Sequence, residues 1–91
     1  MMTLLERIQK IPIGYSEVYY KQVKYGVTKS EFNQGKSYKI YAKELGGTHF
    51  ISLNYYCTST NEFLKPCEMP AEDVRHFLEN YLLIPYHLEN E

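Results

Sequence analysis

Three short polar segments, Lys21-Gln22, Gln34-Gly35 and Gly46-Gly47, divide the middle of this chain into runs in which apolar and polar residues alternate. If each is a two-residue hairpin turn, a single register follows, because strand side chains alternate between faces and a tight turn sets the pairing on either side of it. Val18, Tyr20, Val23, Tyr25, Val27, Tyr38, Ile40, Ala42, Ile51, Leu53, Tyr55 and Cys57 then share one face. Agreement among three independent turns makes that face a core. The opposite face collects Glu17, Tyr19, Lys24, Thr28, Lys39, Tyr41, Lys43, Ser52, Asn54 and Tyr56, a basic surface bearing tyrosines. Strands are expected at residues 15–20, 23–32, 37–44 and 49–58, with positive φ at Gly35 and Gly47.

The flanks read as helices. Thr3-Leu4-Leu5-Glu6 has capping-box spacing, in which Thr3 and Glu6 satisfy each other's backbone amides, and Leu4, Leu5 and Ile8 supply an apolar stripe. Pro12 and Gly14 end that helix. Ser59-Thr60-Asn61 reads as a turn, and residues 62–65 as a short fifth strand stopped by Pro66. Near the C-terminus, Pro70 suits a first helical position, Glu72 and Asp73 suit the positive end of a helix dipole, and Val74, Phe77, Leu78, Tyr81 and Leu82 follow helical spacing as far as Pro85. Residues 85–91 read as a polar tail. The expected architecture is α+β: one domain over residues 1–91 with its core at about 3–84. A four- to five-stranded antiparallel meander carries a short N-terminal helix and has the C-terminal amphipathic helix packed on one sheet face.

At 91 residues such a chain buries only about 60% of its unfolded surface, so each core contact matters. Ten tyrosines and no tryptophan suit a thin sheet whose core is never far from water, since tyrosine combines a large ring with a hydroxyl. No stretch approaches the roughly 20 apolar residues of a membrane span, and the first residues lack the apolar run of a signal peptide. A cytoplasmic location without membrane contact is expected. Two cysteines are too few for a disulfide framework.

Charge is unevenly placed. Residues 18–43 hold six lysines against Glu31 alone, whereas residues 68–91 hold six carboxylates against Arg75 alone. On the polar face Tyr19, Lys24, Lys39, Tyr41, Lys43, Asn54 and Tyr56 are the candidate binding residues. Rings interleaved with ammonium groups are what single-stranded nucleic acid binders use for stacking and phosphate neutralisation. Lysines on an exposed sheet face also serve solubility and discourage edge pairing, so a merely solvated face is the first reading of this surface. A sequence pI of about 6.3 places a protein partner, or a second copy offering its acidic helix, ahead of nucleic acid.

Other chemistries find little support. Cys57, Cys67, His49, His76 and His87 match no zinc-ligand spacing, so no metal and no cofactor are expected. Gly46-Gly47 precedes a strand, not a helix N-terminus, and therefore makes a turn and not a phosphate cradle. If the chain is an enzyme, Cys67, just ahead of the C-terminal helix, is the candidate nucleophile, because a helix dipole lowers a thiol pKa; the adjacent Glu68 opposes that effect.

Four blocks carry a resemblance: Tyr25-Gly26-Val27-Thr28, the run 36–47, Phe50-Ile51-Ser52-Leu53-Asn54, and Leu64-Lys65-Pro66-Cys67-Glu68-Met69-Pro70. Over residues 15–82 the chain resembles a group of small, mostly uncharacterised bacterial proteins of about this length, some named peptide methionine sulfoxide reductase. That name implies thiol chemistry. One reductase class uses a Gly-Cys-Phe-Trp motif, but here neither cysteine follows glycine. The other uses Arg-aromatic-Cys-aliphatic-Asn, where this chain has Tyr55-Tyr56-Cys57-Thr58-Ser59. A non-catalytic interaction role is the expectation.

Overall fold

A computed structural model describes residues 3–84. Helix α1 (Leu4–Lys10) opens with the expected capping box: Glu6 N–H donates to Thr3 Oγ1 and Thr3 N–H to Glu6 Oε1. Strands β1 (Gly14–Tyr20), β2 (Val23–Phe32), β3 (Ser37–Glu44), β4 (Phe50–Cys57) and β5 (Glu62–Pro66) follow as an antiparallel meander. Helix α2 (Ala71–Asn80) then crosses the sheet, and a two-residue strand β6 (Leu82–Leu83) returns to pair with β1. Spatial order is β5-β4-β3-β2-β1-β6. The polar tail expected at 85–91 lies outside the described residues.

Register is as the turns imply. Tyr19 pairs with Lys24, Ile40 with Leu53, Ala42 with Ile51, Lys39 with Asn54 and Tyr41 with Ser52. Ten residues of the expected core face are buried, while Val23 and Cys57, at its margins, are half-buried. Ile8 and Ile11 near α1 and Val74, Phe77, Leu78 and Tyr81 near α2 close over them. Both helices thus cover the same face.

The turns differ in detail. Lys21 and Gln22 both adopt positive φ, the backbone a two-residue hairpin needs to match strand twist. Pairing between β2 and β3 stops at Phe32–Ser37, so the turn is four residues long, and Asn33, Gln34 and Gly35 are all left-handed. At the third turn the left-handed residue is Gly46, not Gly47. A side chain at Gly47 would instead collide with the Glu44 carboxylate, which accepts the His49 amide at 3.2 Å.

The C-terminal helix is shorter than its apolar spacing predicts. It ends at Asn80, Tyr81 is extended, and Leu82 is 67% exposed on β6. The backbone explains the difference. β1 offers unpaired edge groups, and the chain satisfies its own by joining that edge, with Ile84 N–H donating to the Glu17 carbonyl at 3.2 Å. Pro70 also falls one position earlier than expected, as the N-cap.

Two cations hold the helix C-termini. Lys29, counted in sequence among the basic residues, points inward and is buried. Its ammonium donates to the Ile8 and Ile11 carbonyls at 2.7 Å each and lies 4.6 Å from the Tyr38 ring centre. Arg7 donates to the Leu78 and Tyr81 carbonyls at 2.6 Å each. Both exploit the acceptor capacity of carbonyls at a helix end, although the Ile8 carbonyl also accepts the Ile11 N–H.

Candidate functional site

The second sheet face carries no helix among the described residues. Its outward positions form rows across the strands, because every register is in phase. One row runs Tyr15, Thr28, Tyr41, Ser52, and β5 extended by a residue brings Cys67 alongside, its amide donating to the Ser52 carbonyl at 2.9 Å. The next runs Ser30, Lys39, Asn54, Lys65. Beyond it lie Phe32, Ser37, Tyr56 and Phe63; on the other side lie Glu17, Gly26, Lys43 and Phe50, then Leu82, Tyr19 and Lys24.

All seven candidate binding residues therefore lie on one continuous surface. Tyr19, Tyr41 and Tyr56 are 44%, 40% and 41% exposed, Lys39 and Lys43 are exposed, and Lys24 and Asn54 are half-buried. Tyr15, Phe32, Phe50, Phe63 and Lys65 also belong to the surface and were absent from the sequence expectation. Their signal was strand parity. It went unread for β5 because the turn before it is four residues long and leaves the register open.

The local geometry keeps the face level. Tyr15 lays its ring over Gly26, where any Cβ would come within 2.7 Å of the phenol oxygen, and its hydroxyl donates to Glu17 at 3.0 Å. Tyr41 stacks on Phe50 with ring centres 6.0 Å apart and planes at 29°. Thr28, Ser30, Ser52 and Asn54 form a low, hydrogen-bonding floor between the rings.

The electrostatics are one-sided. Four lysines face outward against one carboxylate, Glu17, which lies 3.7 Å from Lys24. Lys39, Lys43 and Lys65 have no ion-pair partner among the described residues. Glu72, Asp73 and Glu79 are exposed on α2, on the other side of the sheet.

Cys67 reaches the rim of this face, where its sulfur accepts from Asn54 Nδ2 at 3.4 Å. Neither histidine nor carboxylate hydrogen-bonds it among the described residues. Cys57 lies on the inward parity and Cys67 on the outward, level with Ser52 and so five residues along β4 from Cys57, which separates them too far for a disulfide.

On the core side, the Tyr20 hydroxyl hydrogen-bonds His76 Nδ1 at 2.6 Å and the Tyr25 hydroxyl hydrogen-bonds His49 Nδ1 at 2.7 Å. Burial pushes both phenols up. These pairs let tyrosine rings enter the core without orphaned hydroxyls. No group of three or more potential ligands that could hold a metal occurs among the described residues. No described helix is long and apolar enough to cross a membrane.

Comparison with protein-family models, with curated proteins and with solved structures finds no match to this chain.

Proposed function

We propose that this chain is a non-catalytic interaction domain that works through the outward face of its sheet and takes a negatively charged partner. The observation that carries this reading is the placement of both helices on one side. A sheet buries one face to fold, and here the other holds Tyr15, Tyr19, Tyr41, Tyr56 and Phe63, each at least 40% exposed, among lysines. The face is preferred over the edges, which are blunted: β6 is two residues long, and β5 carries Lys65 and ends at Pro66. Two free thiols on opposite faces suit a cytoplasmic setting, which belongs to the same proposal.

The competing class is thiol chemistry at Cys67, the activity that the resemblance read in the sequence implies. Incubating the chain with a methionine sulfoxide peptide and a dithiol reductant separates the two. No turnover is expected; turnover abolished by Cys67→Ser would overturn the proposal. Location is tested by alkylation of Cys67 in a Cys57→Ser background. Occupancy of the outward face should slow it, with dextran sulfate as an anionic probe, and an unchanged rate with bound probe would place binding elsewhere.

A further inference from the structure

Resting on that reading of the outward face, we propose that its ligand is single-stranded nucleic acid, with the rings stacking bases and the lysines neutralising phosphates. Three observations point there and away from a protein. First, Lys39 and Lys43 stand on β3, inside the sheet, on either side of Tyr41. The centres of protein interfaces are depleted of lysine and keep charge at the rim; a phosphate backbone crossing a sheet needs the charge in the middle.

Second, ammonium groups and rings alternate along the strands. On β3 the order is Lys39, Tyr41, Lys43, with successive outward side chains about 6.8 Å apart. The residues beside Tyr41 in its row are the short Thr28 and Ser52, and Phe50 from the neighbouring row stacks on one side of the ring, so a base of an unpaired strand has the opposite side to lie against. Stacking of this kind tolerates any base, because each has a π face.

Third, the acidic groups are segregated. Glu17 is engaged by Lys24 and Tyr15, and the α2 carboxylates lie behind the sheet. The near-neutral total of −1 therefore hides a dipolar molecule that presents its positive side to a polyanion. The rival occupant, α2 of a second copy, would make a head-to-tail contact, which has no inherent point of closure and runs to rings or filaments.

The experiment is fluorescence anisotropy with labelled mixed-sequence single-stranded RNA and DNA across a salt series, together with amide chemical-shift mapping. Binding at low salt should weaken with a log–log slope of about −0.7 per phosphate contacted. Lys39→Ala should lower that slope by about 0.7, whereas Tyr41→Ala should weaken binding by between about 5-fold and about 150-fold at unchanged slope. Both side chains are exposed, and circular dichroism of each variant should match the parent. Shifts should centre on β3 and β4.

Absence of oligonucleotide binding at low salt, or binding indifferent to Tyr41→Ala, would overturn the nucleic-acid inference. If shifts then appear on the outward face as protein concentration rises, the partner is a second copy and the face reading stands. Oligonucleotide shifts confined to α2 or the turns would overturn both.

Discussion

Arg7 and Tyr81 hold each other at both ends: the guanidinium lies 4.0 Å over the Tyr81 ring while donating to the Tyr81 carbonyl at 2.6 Å, and the Tyr81 hydroxyl donates back to the Arg7 carbonyl. A second bond from Arg7 to Leu78 completes the clamp between the two helices. Arg7→Met should cost about 2–4 kcal/mol in urea unfolding, since buried carbonyls lose charged donors and the ring loses its cation. Arg7→Lys should recover only part, because an ammonium lacks the planar guanidinium that lies flat over the Tyr81 ring while its fork donates to both carbonyls. A loss under about 0.5 kcal/mol for Arg7→Met would contradict the clamp.

Lys29→Met should free α1 before the rest of the chain unfolds. The apolar stem survives, but the Ile8 and Ile11 carbonyls are left without the ammonium that binds them. The Ile8 carbonyl keeps its bond from the Ile11 N–H, so the Ile11 carbonyl is the unmet acceptor, at about 1–3 kcal/mol. Hydrogen exchange in residues 4–11 should accelerate while β3 and β4 stay protected.

Phe77→Ala should destabilise by about 3 kcal/mol or more. The side chain is fully buried and packs against the rings of Tyr20, Tyr25 and Tyr81. Urea unfolding with a change under about 0.5 kcal/mol would place the helix stripe in solvent.

Stability should fall above about pH 10. Unfolded phenols titrate near 10.0, and burial raises those of Tyr20, Tyr25, Tyr55 and Tyr81 in the folded chain, with Glu62 adding to the effect at Tyr55 and Arg7 opposing it at Tyr81. Unfolding in that range releases protons, so the stabilisation is complete below pH 10 and is lost as pH climbs toward the folded values. Lys29 acts in the opposite sense. Burial lowers its pKa, and below its ordinary 10.5 unfolding takes up a proton and stability rises with pH. Four phenols outweigh one ammonium. Urea midpoints measured from about pH 8 to about pH 11 should decline only above about pH 10, less steeply in Tyr55→Phe.

Replacing Lys21-Gln22 by Asn-Gly should stabilise by about 1 kcal/mol, because both positions are left-handed and now carry residues that resist it. Gly46→Ala should cost about 1 kcal/mol for the same reason. Gly47→Ala acts differently, by pushing Glu44 off the His49 amide, and should show as a shift at His49 without loss of β3–β4 pairing.

Much of this fold is local and therefore readable in the chain. The capping box needs residues three apart, the first turn needs two, and the alternation of Tyr38, Ile40 and Ala42 against Lys39, Tyr41 and Lys43 sorts the two faces without a partner in view. The seven candidate binding residues share a face for that reason alone. Leu82 misled because helical spacing records which residues are apolar, not which backbone groups lack partners; the open edge of β1 is invisible at residue 82 until the sheet exists.

Sequence alone determined the alternation, the first turn, the register and the identity of the core face, since each depends on neighbours within a few residues. Tertiary structure alone decided that Lys29, placed on the inward face by strand alternation, caps a helix 18 to 21 residues away, that Arg7 reaches Leu78 and Tyr81, and that both helices choose the same side. Those outcomes depend on long-range contacts, where a buried cation must find carbonyls that only a finished helix presents at its end. The bare outward face follows from the same choice, because a sheet of this size needs one covering layer and the chain places both of its helices there.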